Sequence, residues 1–387
     1  MTDYLTTVED LAAFVREHAA AGRTLRPRGA GTKLDWAAAR CHPEERSDEG
    51  SLSTQVDVDT RGLDGILAHN RGDFTAVLEA GVPLARAQAQ FARAGQMLAL
   101  DPPLGGGDAA TVGGILAAGD SGPLRHRYGG PRDLVLGMTV VLSDGSVCRS
   151  GGTVIKNVAG YDLSKLFVGS FGTLGVIARV AVRLHPLLVR TASLAGASDD
   201  PDRLAMAVQI LARLPLEAEC FDVTWAAGWG RVLLRFGGAA PAERARAAAD
   251  RMSGLDPVTI VTEDDDTWLR QRAMQRSAPT ADGAIVLEVS GRPTDLPALL
   301  RAADASGGTV VSRAALGLSW VTLPPGADID EFRRRLAPRA CRVLDGARLT
   351  REPWPAVAPG ALALMRRVKT RFDPAGAFRP GAFVGGI

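Results

Sequence analysis

The first pattern of apolar and polar residues along the chain begins close to the N-terminus. Leu11, Phe14 and Val15 recur at helical spacing, and Thr7 with Asp10 three residues later is a helix-capping signature. The pattern predicts an opening helix that stops at about residue 22. A short strand is expected at residues 24–26, and it runs into a glycine-containing loop at residues 27–33.

Further apolar runs in the first half predict strands at residues 74–79 and 134–142 and a helix at residues 84–94. Ser143-Asp144-Gly145-Ser146 predicts a hairpin turn. In residues 176–184 apolar residues alternate with Arg179 and Arg183, which predicts a strand with one buried face.

The pattern changes after Pro186, where glycine thins out and helices alternate with strands. The predicted helices span residues 201–214, 241–252, 266–276, 295–304 and 329–336. The predicted strands span residues 220–225, 232–236, 258–261, 284–289, 309–312 and 320–323. This alternation predicts an α+β layer with its helices on one face of a sheet. The tail, residues 361–380, is expected to be a helix followed by FDPAGAFRPGAF.

Composition narrows the class of protein. The 387 residues are enough for two domains, and 46% of them are hydrophobic. With 45 basic and 43 acidic residues the net charge is +2, so nothing in the charge favours nucleic-acid binding. Residues 41–53 (CHPEERSDEGSLS) are polar and charged, which predicts a solvated insertion.

The cysteines indicate a reducing compartment. Cys41, Cys148, Cys220 and Cys341 lie far apart without a CxxC pair, which argues against an iron–sulfur cluster, a structural zinc site and a disulfide framework. The start MTDYLTTVED lacks the features of a signal peptide, and no apolar run approaches the roughly 18 residues of a membrane span. We therefore expect a cytoplasmic protein that reaches a membrane, if at all, peripherally through partners.

Glycine is concentrated in one stretch, since 17 of the 44 glycines lie between Gly105 and Gly175. Thirteen of these 17 occur in DPPLGGGDAATVGGILAAGDSG (residues 101–122) and GGTVIKNVAGYDLSKLFVGSFGTLGV (residues 151–176). Glycine lets backbone N–H groups approach a ligand closely, so the stretch favours a groove for a large phosphate-bearing cofactor. The alternative is a turn-rich all-β region.

Three short segments are candidates for contacts with that cofactor. The loop RGAGTK, residues 28–33, can turn several N–H groups toward one anion, although a plain turn is an equal alternative. It is neither a Walker A loop nor a GxGxxG fingerprint. The segment ATVGG, residues 110–114, places two glycines at a predicted helix start, and GSFGTLG, residues 169–175, could present backbone to a flat ring. Tyr161 and Phe171 are either core residues or neighbours of the cofactor.

In this order the segments resemble the FAD-binding domain of the vanillyl-alcohol-oxidase type, also called the PCMH type. The resemblance rests on RPRGAGTK, ATVGG, RYGGPRDLVLGM and GSFGTLGVI, and it covers about residues 5–187 and the tail. It implies an α+β fold, in which two small α/β subdomains hold FAD and a second α+β domain forms a cap. The implied domains are residues 1–187 (FAD-binding), 188–350 (cap) and 351–387 (a segment that returns to the FAD-binding domain).

The resemblance also implies roles for individual residues. The pyrophosphate would be held by Arg28, Gly29, Ala30, Gly31, Thr32 and Lys33 together with Thr111, Val112, Gly113 and Gly114. Ala117, Gly119 and Gly122 would approach the flavin, and Asp101 and Pro102 would also bind the cofactor. Gly172, Gly175, Val176 and Ile177 would line its ring or the adenosine side.

The more specific resemblance is to the FAD-binding subunits of bacterial glycolate oxidases. It rests on GGTVIKNVAGYDLSKLFVGSFGTLG, on DPPLGGGDAATVGG and on the tail VKTRFDPAGAFRPGAF. It implies a complex with a sister FAD-binding catalytic subunit and an iron–sulfur subunit, with glycolate as the substrate of the complex. Arg379 stands where the family usually has Asn, which puts any contact of that Asn in doubt.

The positions of histidine and cysteine bear on covalent attachment of FAD and on a metal site in the second domain. The loops at residues 28–33 and 101–122 hold neither, so FAD is expected to be noncovalent. The five histidines end at His185, which excludes a histidine-ligated metal site in the second domain. His126 is the only histidine in a cofactor segment and is expected to be solvated or ribose-side rather than a general base.

Three functions stay open at this point. The chain is an electron-transferring FAD subunit of a glycolate oxidase complex, or a self-standing FAD enzyme acting on a small hydroxy acid such as D-lactate or on a polyol. The third alternative is a scaffold with a decayed flavin site, against which the intact glycine segments argue. The sequence identifies no catalytic base, and it does not separate glycolate from D-lactate.

Overall fold

The computed structural model describes residues 5–34, 36, 55–154, 162–276, 283–346 and 352–387. The predicted insertion at residues 41–53, and Tyr161, lie outside the described residues. The helices are α1 (Val8–Ala20), α2 (Leu84–Ala92), α3 (Val112–Ala118), α4 (Arg125–Tyr128), α5 (Pro131–Leu134), α6 (Ser164–Phe167), α7 (Pro201–Leu211), α8 (Pro241–Ala249), α9 (Asp265–Gln275), α10 (Leu296–Ala305), α11 (Ile329–Leu336) and α12 (Pro359–Phe372).

The strands follow the same chain order. They are β1 (Thr24–Arg28), β2 (Gln55–Asp59), β3 (Ile66–Asn70), β4 (Thr75–Glu79), β5 (Gln96–Met97), β6 (Val135–Val141), β7 (Val147–Gly151), β8 (Val176–Arg183), β9 (His185–Pro186), β10 (Thr191–Ser198), β11 (Cys220–Ala226), β12 (Trp229–Gly237), β13 (Val258–Val261), β14 (Ile285–Ser290), β15 (Thr309–Arg313), β16 (Leu318–Leu323) and β17 (Ala340–Asp345).

The first half is built on a five-stranded antiparallel sheet in the order β3-β4-β8-β6-β7. One face of the sheet packs on α2 and α3, and the other packs on α1 and β1. The strand β8 is the central strand of this sheet, and because both faces are covered it is buried on both. The prediction of one buried face was wrong, because Val176 packs in the core with α1 while Ile177 packs in the core with α2 and α3. Arg179 is half-buried and pairs with Glu79 (3.2 Å).

A small parallel pair, β1 with β2, carries the loop at residues 29–34 at its carboxyl end. The helix that precedes it is capped as predicted, because Thr7 Oγ1 accepts a hydrogen bond from the Asp10 N–H (3.0 Å). The C-terminal tail returns to this pair, where the Leu25 N–H donates to Ala377 O (2.7 Å). The tail thus supports the strand that leads into the glycine loop.

The second half is one eight-stranded sheet in the order β13-β10-β12-β11-β15-β16-β14-β17, and all its pairings are antiparallel. The helices α7, α8, α10 and α11 cover one face, as the alternating pattern predicts. The helix α9 differs from the prediction because it packs on the opposite face. Its Trp268 lies against Cys220 and Leu233 of the sheet and near Leu124 of the first half.

The two halves contact each other through this second face of the sheet. Trp320 and Leu344 of the sheet pack with Trp36 and Phe171 of the first half, and Trp354 of the tail joins them. The strands β10 and β17 were not predicted, although both belong to the large sheet. The contact brings α9 beside the glycine loops.

Candidate functional site

A groove lies where the glycine loop, α3 and the tail meet. Its lining comes from four parts of the chain, which are residues 27–34, the helix α3 with its cap, residues 171–172, and Arg379 of the tail. Phe171, Gly172 and Arg379 together form one wall. The predicted residues that line it are Arg28, Gly29, Ala30, Gly31, Thr32, Lys33, Thr111, Gly114, Ala117 and Gly172. The structure thus brings the first two predicted glycine segments together.

The glycine loop offers its backbone to a ligand. Within the described part of the chain, no acceptor is recorded for the amide N–H groups of the five successive residues 29–33. The Arg28 Nε is also buried without a partner there, while its Nη1 donates to Asp57 (2.8 Å). Unsatisfied N–H groups at one concave turn suit an anion with several oxygens. The loop therefore fits the diphosphate of FAD.

The loop can pack on α3 only because Gly29 has no side chain. A Cβ at Gly29 would lie 2.1 Å from Thr111 Oγ1, which is far inside contact distance. Thr111 is the N-cap of α3, and its Oγ1 accepts a hydrogen bond from the Gly114 N–H (3.3 Å). The close approach fixes the loop against the start of the helix.

The first amides of α3 are not available to a ligand. The Val112 N–H donates to Val82 O (2.9 Å), and the Gly113 N–H donates to Ala80 O (2.8 Å). Both residues are buried, and a Cβ at Gly113 would lie 2.6 Å from the Ala80 Cβ. Thr111 and Gly114 face the groove, whereas Val112 and Gly113 hold the helix onto the five-stranded sheet.

Asp101, Pro102 and Gly122 form a second cluster beside the groove. A Cβ at Gly122 would lie 1.9 Å from Asp101 O, so only glycine fits there. Asp101 Oδ1 accepts a hydrogen bond from the Leu124 N–H (3.1 Å). Burial raises the pKa of the Asp101 carboxyl to about 7, and the positive charges of Arg272 and Arg313 oppose this shift. Asp101 is therefore a carboxyl that changes charge near neutral pH.

The remaining predicted residues lie deeper. Gly119 takes a left-handed backbone conformation (φ 68°) at the end of α3, next to Gly169. Val176 and Ile177 are buried in the cores on the two faces of β8, and Gly175 directly precedes them. Their contact with a flavin ring or adenosine stays a prediction.

Lys33 turns its side chain away from solvent. Its Nζ lies 3.3 Å from Asp120 Oδ2 and donates to Pro103 O (3.0 Å). Burial lowers the pKa of Lys33 and raises that of Asp120, and each charge opposes the shift of the other. The Gln275 amide of α9 donates to Asp120 Oδ1 (3.2 Å) and Ser121 O (2.8 Å). The glycine loop is thereby joined to the second half.

This polar contact continues into the eight-stranded sheet. Arg313 donates to Gln275 Oε1 (2.6 Å) and to Asp222 Oδ2 (2.7 Å), and Gln271 donates to the same Asp222 oxygen (2.8 Å). Arg313 and Asp222 are both fully buried. Sequence reasoning missed Asp120, Gln275 and this pair because their partners lie up to 155 residues apart along the chain.

Three arginines of the second half near the groove share two features, a carboxylate partner and an aromatic ring beneath the guanidinium. The ion pairs are Arg276–Asp345 (2.9 Å), Arg313–Asp222 (2.7 Å) and Arg342–Glu288 (2.9 Å). The ring contacts are Arg276 over Trp36 (5.3 Å), Arg313 over Trp320 (4.8 Å) and Arg342 over Phe171 and Trp354 (5.1 Å each). Their charges are already balanced by the chain itself.

His126 does not line the groove. It is half-buried with its ring edge against Phe221 of the large sheet (5.5 Å between centroids), and burial lowers its pKa. Among the described residues, no group of three His, Cys, Asp or Glu side chains is placed to hold a metal ion. None of the described helices combines the length and the hydropathy that a membrane span requires.

Comparisons with known proteins agree with this geometry. Residues 2–151 match the family described as "FAD binding domain". The glycolate oxidase subunit GlcE of Escherichia coli (strain K12) is 41% identical over 137 residues, which are 35% of this chain and only 39% of that protein. A D-lactate dehydrogenase of Archaeoglobus fulgidus is 28% identical over 92% of this chain and 85% of its own length.

Among solved structures, an alkyldihydroxyacetonephosphate synthase aligns with a TM-score of 0.69 at 15% identity and covers 97% of this chain and 74% of its own. At that identity the likeness concerns the fold alone. The predicted fold, an α+β protein with a PCMH-type FAD-binding domain, is confirmed, as is FAD as the cofactor.

Proposed function

We propose that this chain, an FAD-dependent oxidoreductase with an FAD-binding domain in residues 2–151, is an electron-carrying subunit of a glycolate oxidase complex. A sister flavoprotein would oxidise glycolate to glyoxylate, which releases two electrons and two protons. Bound FAD supplies the capacity to accept two electrons and to release them one at a time. The electrons would leave toward an iron–sulfur subunit.

In this proposal the chain's own residues bind and shield the cofactor. The amides of residues 29–33 and the Arg28 Nε would hold the diphosphate. The aromatic contact of Trp36 and Phe171 with Trp320 and Trp354 would exclude water from the ring. We keep the division into residues 1–187, 188–350 and 351–387 as part of the same proposal.

The observation that carries the electron-carrier role is the pairing of the cap arginines. A hydroxy acid needs a cation for its carboxylate and a base for its hydroxyl proton. Arg276, Arg313 and Arg342 already pair with carboxylates of this chain, and no histidine follows His185. Among the described residues these three cations are thus engaged within the chain, which supports a role in carrying electrons over direct oxidation of glycolate.

The alternative is a self-standing FAD dehydrogenase of a hydroxy acid such as D-lactate. It is favoured by the relative of Archaeoglobus fulgidus, whose similarity extends over 92% of this chain. In that case an ionisable group near the ring would have to take the proton, and Asp101, with its pKa of about 7, is the group suited to do so.

Anaerobic spectroscopy of the FAD-loaded chain separates the two functions. We expect glycolate and D-lactate to leave the visible absorbance of the oxidised flavin unchanged in the isolated chain, while dithionite bleaches it as a control. Addition of the sister and iron–sulfur subunits should make glycolate bleach it. Bleaching of the isolated chain by either acid would contradict the electron-carrier role, and failure to take up FAD would contradict both functions.

A further inference from the structure

Arg379 has a backbone conformation that its residue type rarely adopts. Its φ is 41°, in the left-handed region that asparagine enters far more readily than arginine. The tail is held there on both sides, since the Arg379 N–H donates to Leu25 O (3.0 Å) and the Ala382 N–H donates to Arg379 O (3.1 Å). The preceding residue, Phe378, is fully buried. A strained residue kept in place by its surroundings is often a functional residue.

The Arg379 side chain joins the two walls of the groove. Its Nη1 donates to Phe171 O (2.8 Å) and its Nη2 donates to Leu34 O (2.9 Å). Leu34 ends the glycine loop, and Phe171, itself in a left-handed conformation (φ 55°), begins the opposite wall. The residue is 9% exposed and lines the groove. One guanidinium therefore joins the two segments that face each other across the groove.

An asparagine cannot do this, because its short amide has no positive charge and does not reach two loops. Arginine keeps its charge at all physiological pH values and fixes both donors in one plane. The groove it lines also holds the free amides of residues 29–33 and the unpartnered Arg28 Nε. Every one of these groups favours an anion.

We propose that Arg379 is a cofactor-binding residue specific for the diphosphate of FAD. It holds the two loops at the spacing of the bound cofactor and places a positive charge beside the diphosphate. The proposal rests on FAD binding in this groove and not on the electron-carrier role, so glycolate bleaching of the isolated chain would leave it standing.

Equilibrium binding to the full chain, freed of FAD, tests the proposal. FAD and ADP carry the diphosphate and riboflavin does not. The three ligands therefore distinguish loss of the Arg379 charge from a change in the shape of the groove. We expect Arg379→Asn to weaken FAD and ADP binding about tenfold or more, which corresponds to about 1.4 kcal/mol or more, and to leave riboflavin binding unchanged. Arg379→Lys should lose less affinity for FAD and ADP than Arg379→Asn does. Added salt should reduce the difference in affinity between the wild type and Arg379→Asn.

The control is Arg371→Asn, at an exposed position of α12. It should bind all three ligands as the wild type does. Arg379→Asn is expected to fold, because asparagine tolerates the left-handed backbone. Unchanged FAD affinity in this variant overturns the proposal, as does an equal loss for FAD and riboflavin. Should Arg379→Asn fail to fold, Arg379→Lys decides, because a loss of riboflavin binding as large as that of ADP would again indicate a structural role only.

Discussion

At the scale of single residues, Asp101 is an ionisable group whose surroundings move its pKa close to neutral pH. Burial raises its folded-state pKa to about 7, whereas an unfolded Asp titrates near 4. Between these values the unfolded chain releases the proton and the folded chain keeps it. The free energy of unfolding therefore falls as the pH rises from about 4 to about 7 and levels off above that.

Asp101→Asn should remove this dependence while keeping an oxygen for the Leu124 N–H. Relative to the wild type, we expect the variant to gain roughly 2 to 3 kcal/mol between about pH 5 and about pH 8. Urea unfolding of the FAD-loaded proteins across this range measures the gain. Asp295→Asn is the control, because the Arg292 N–H and Arg339 lower the pKa of Asp295 to about 2. Its offset from the wild type should stay constant, and a constant offset for Asp101→Asn would disprove the prediction.

At the scale of elements, the glycine loop and α3 act as one unit because they touch through Gly29. Gly29→Ala would place a Cβ 2.1 Å from Thr111 Oγ1 and force the loop away from the helix cap. We expect FAD affinity to fall at least about tenfold, or about 1.4 kcal/mol, as measured by flavin fluorescence. Gly106→Ala in the neighbouring glycine segment meets no atom within 4 Å and serves as the control. Equal affinities of the two variants would show that the close contact is irrelevant to binding.

The elements themselves could largely be predicted from the chain. The capping signature at Thr7 and the apolar spacing after it predicted α1, and the alternating second half predicted most strands of the large sheet. The strand β10 was missed because TASLAGAS contains one large apolar residue, Leu194. The face on which α9 packs was missed because one chain segment does not reveal its partner.

The candidate site could be predicted only as far as local glycine patterns reach. The loop at residues 29–33 was identified because glycine indicates close backbone approach. The hydrogen bonds that the Val112 and Gly113 amides donate to the turn after β4 could not be predicted, because their acceptors lie some 30 residues away in the chain. The inward side chain of Lys33 depends on Asp120, which no local pattern distinguishes from the other aspartates of the chain.

At the scale of the whole molecule, a buried series of polar side chains links the glycine loop to the eight-stranded sheet. It runs from Lys33 through Asp120 and Gln275 to Arg313 and Asp222. Gln275 is the only uncharged member and the one that crosses from the second half to the first. Because charged groups on both sides depend on it, its loss leaves Arg313 and Asp120 each short of a buried partner.

Gln275→Ala should therefore weaken the contact between the halves more than either half alone. We expect the free energy of unfolding of this variant to fall by about 1 to 3 kcal/mol. We also expect the wild type to unfold in one thermal transition and the variant in two, because each half keeps its own core. Differential scanning calorimetry with and without FAD measures both effects, and FAD should restore part of the loss by holding residues 29–33 in place. Gln209→Ala, at an exposed position of α7, should leave the transition unchanged. If the two variants showed the same thermal transitions, this series of polar side chains would not be what joins the glycine loop to the second half.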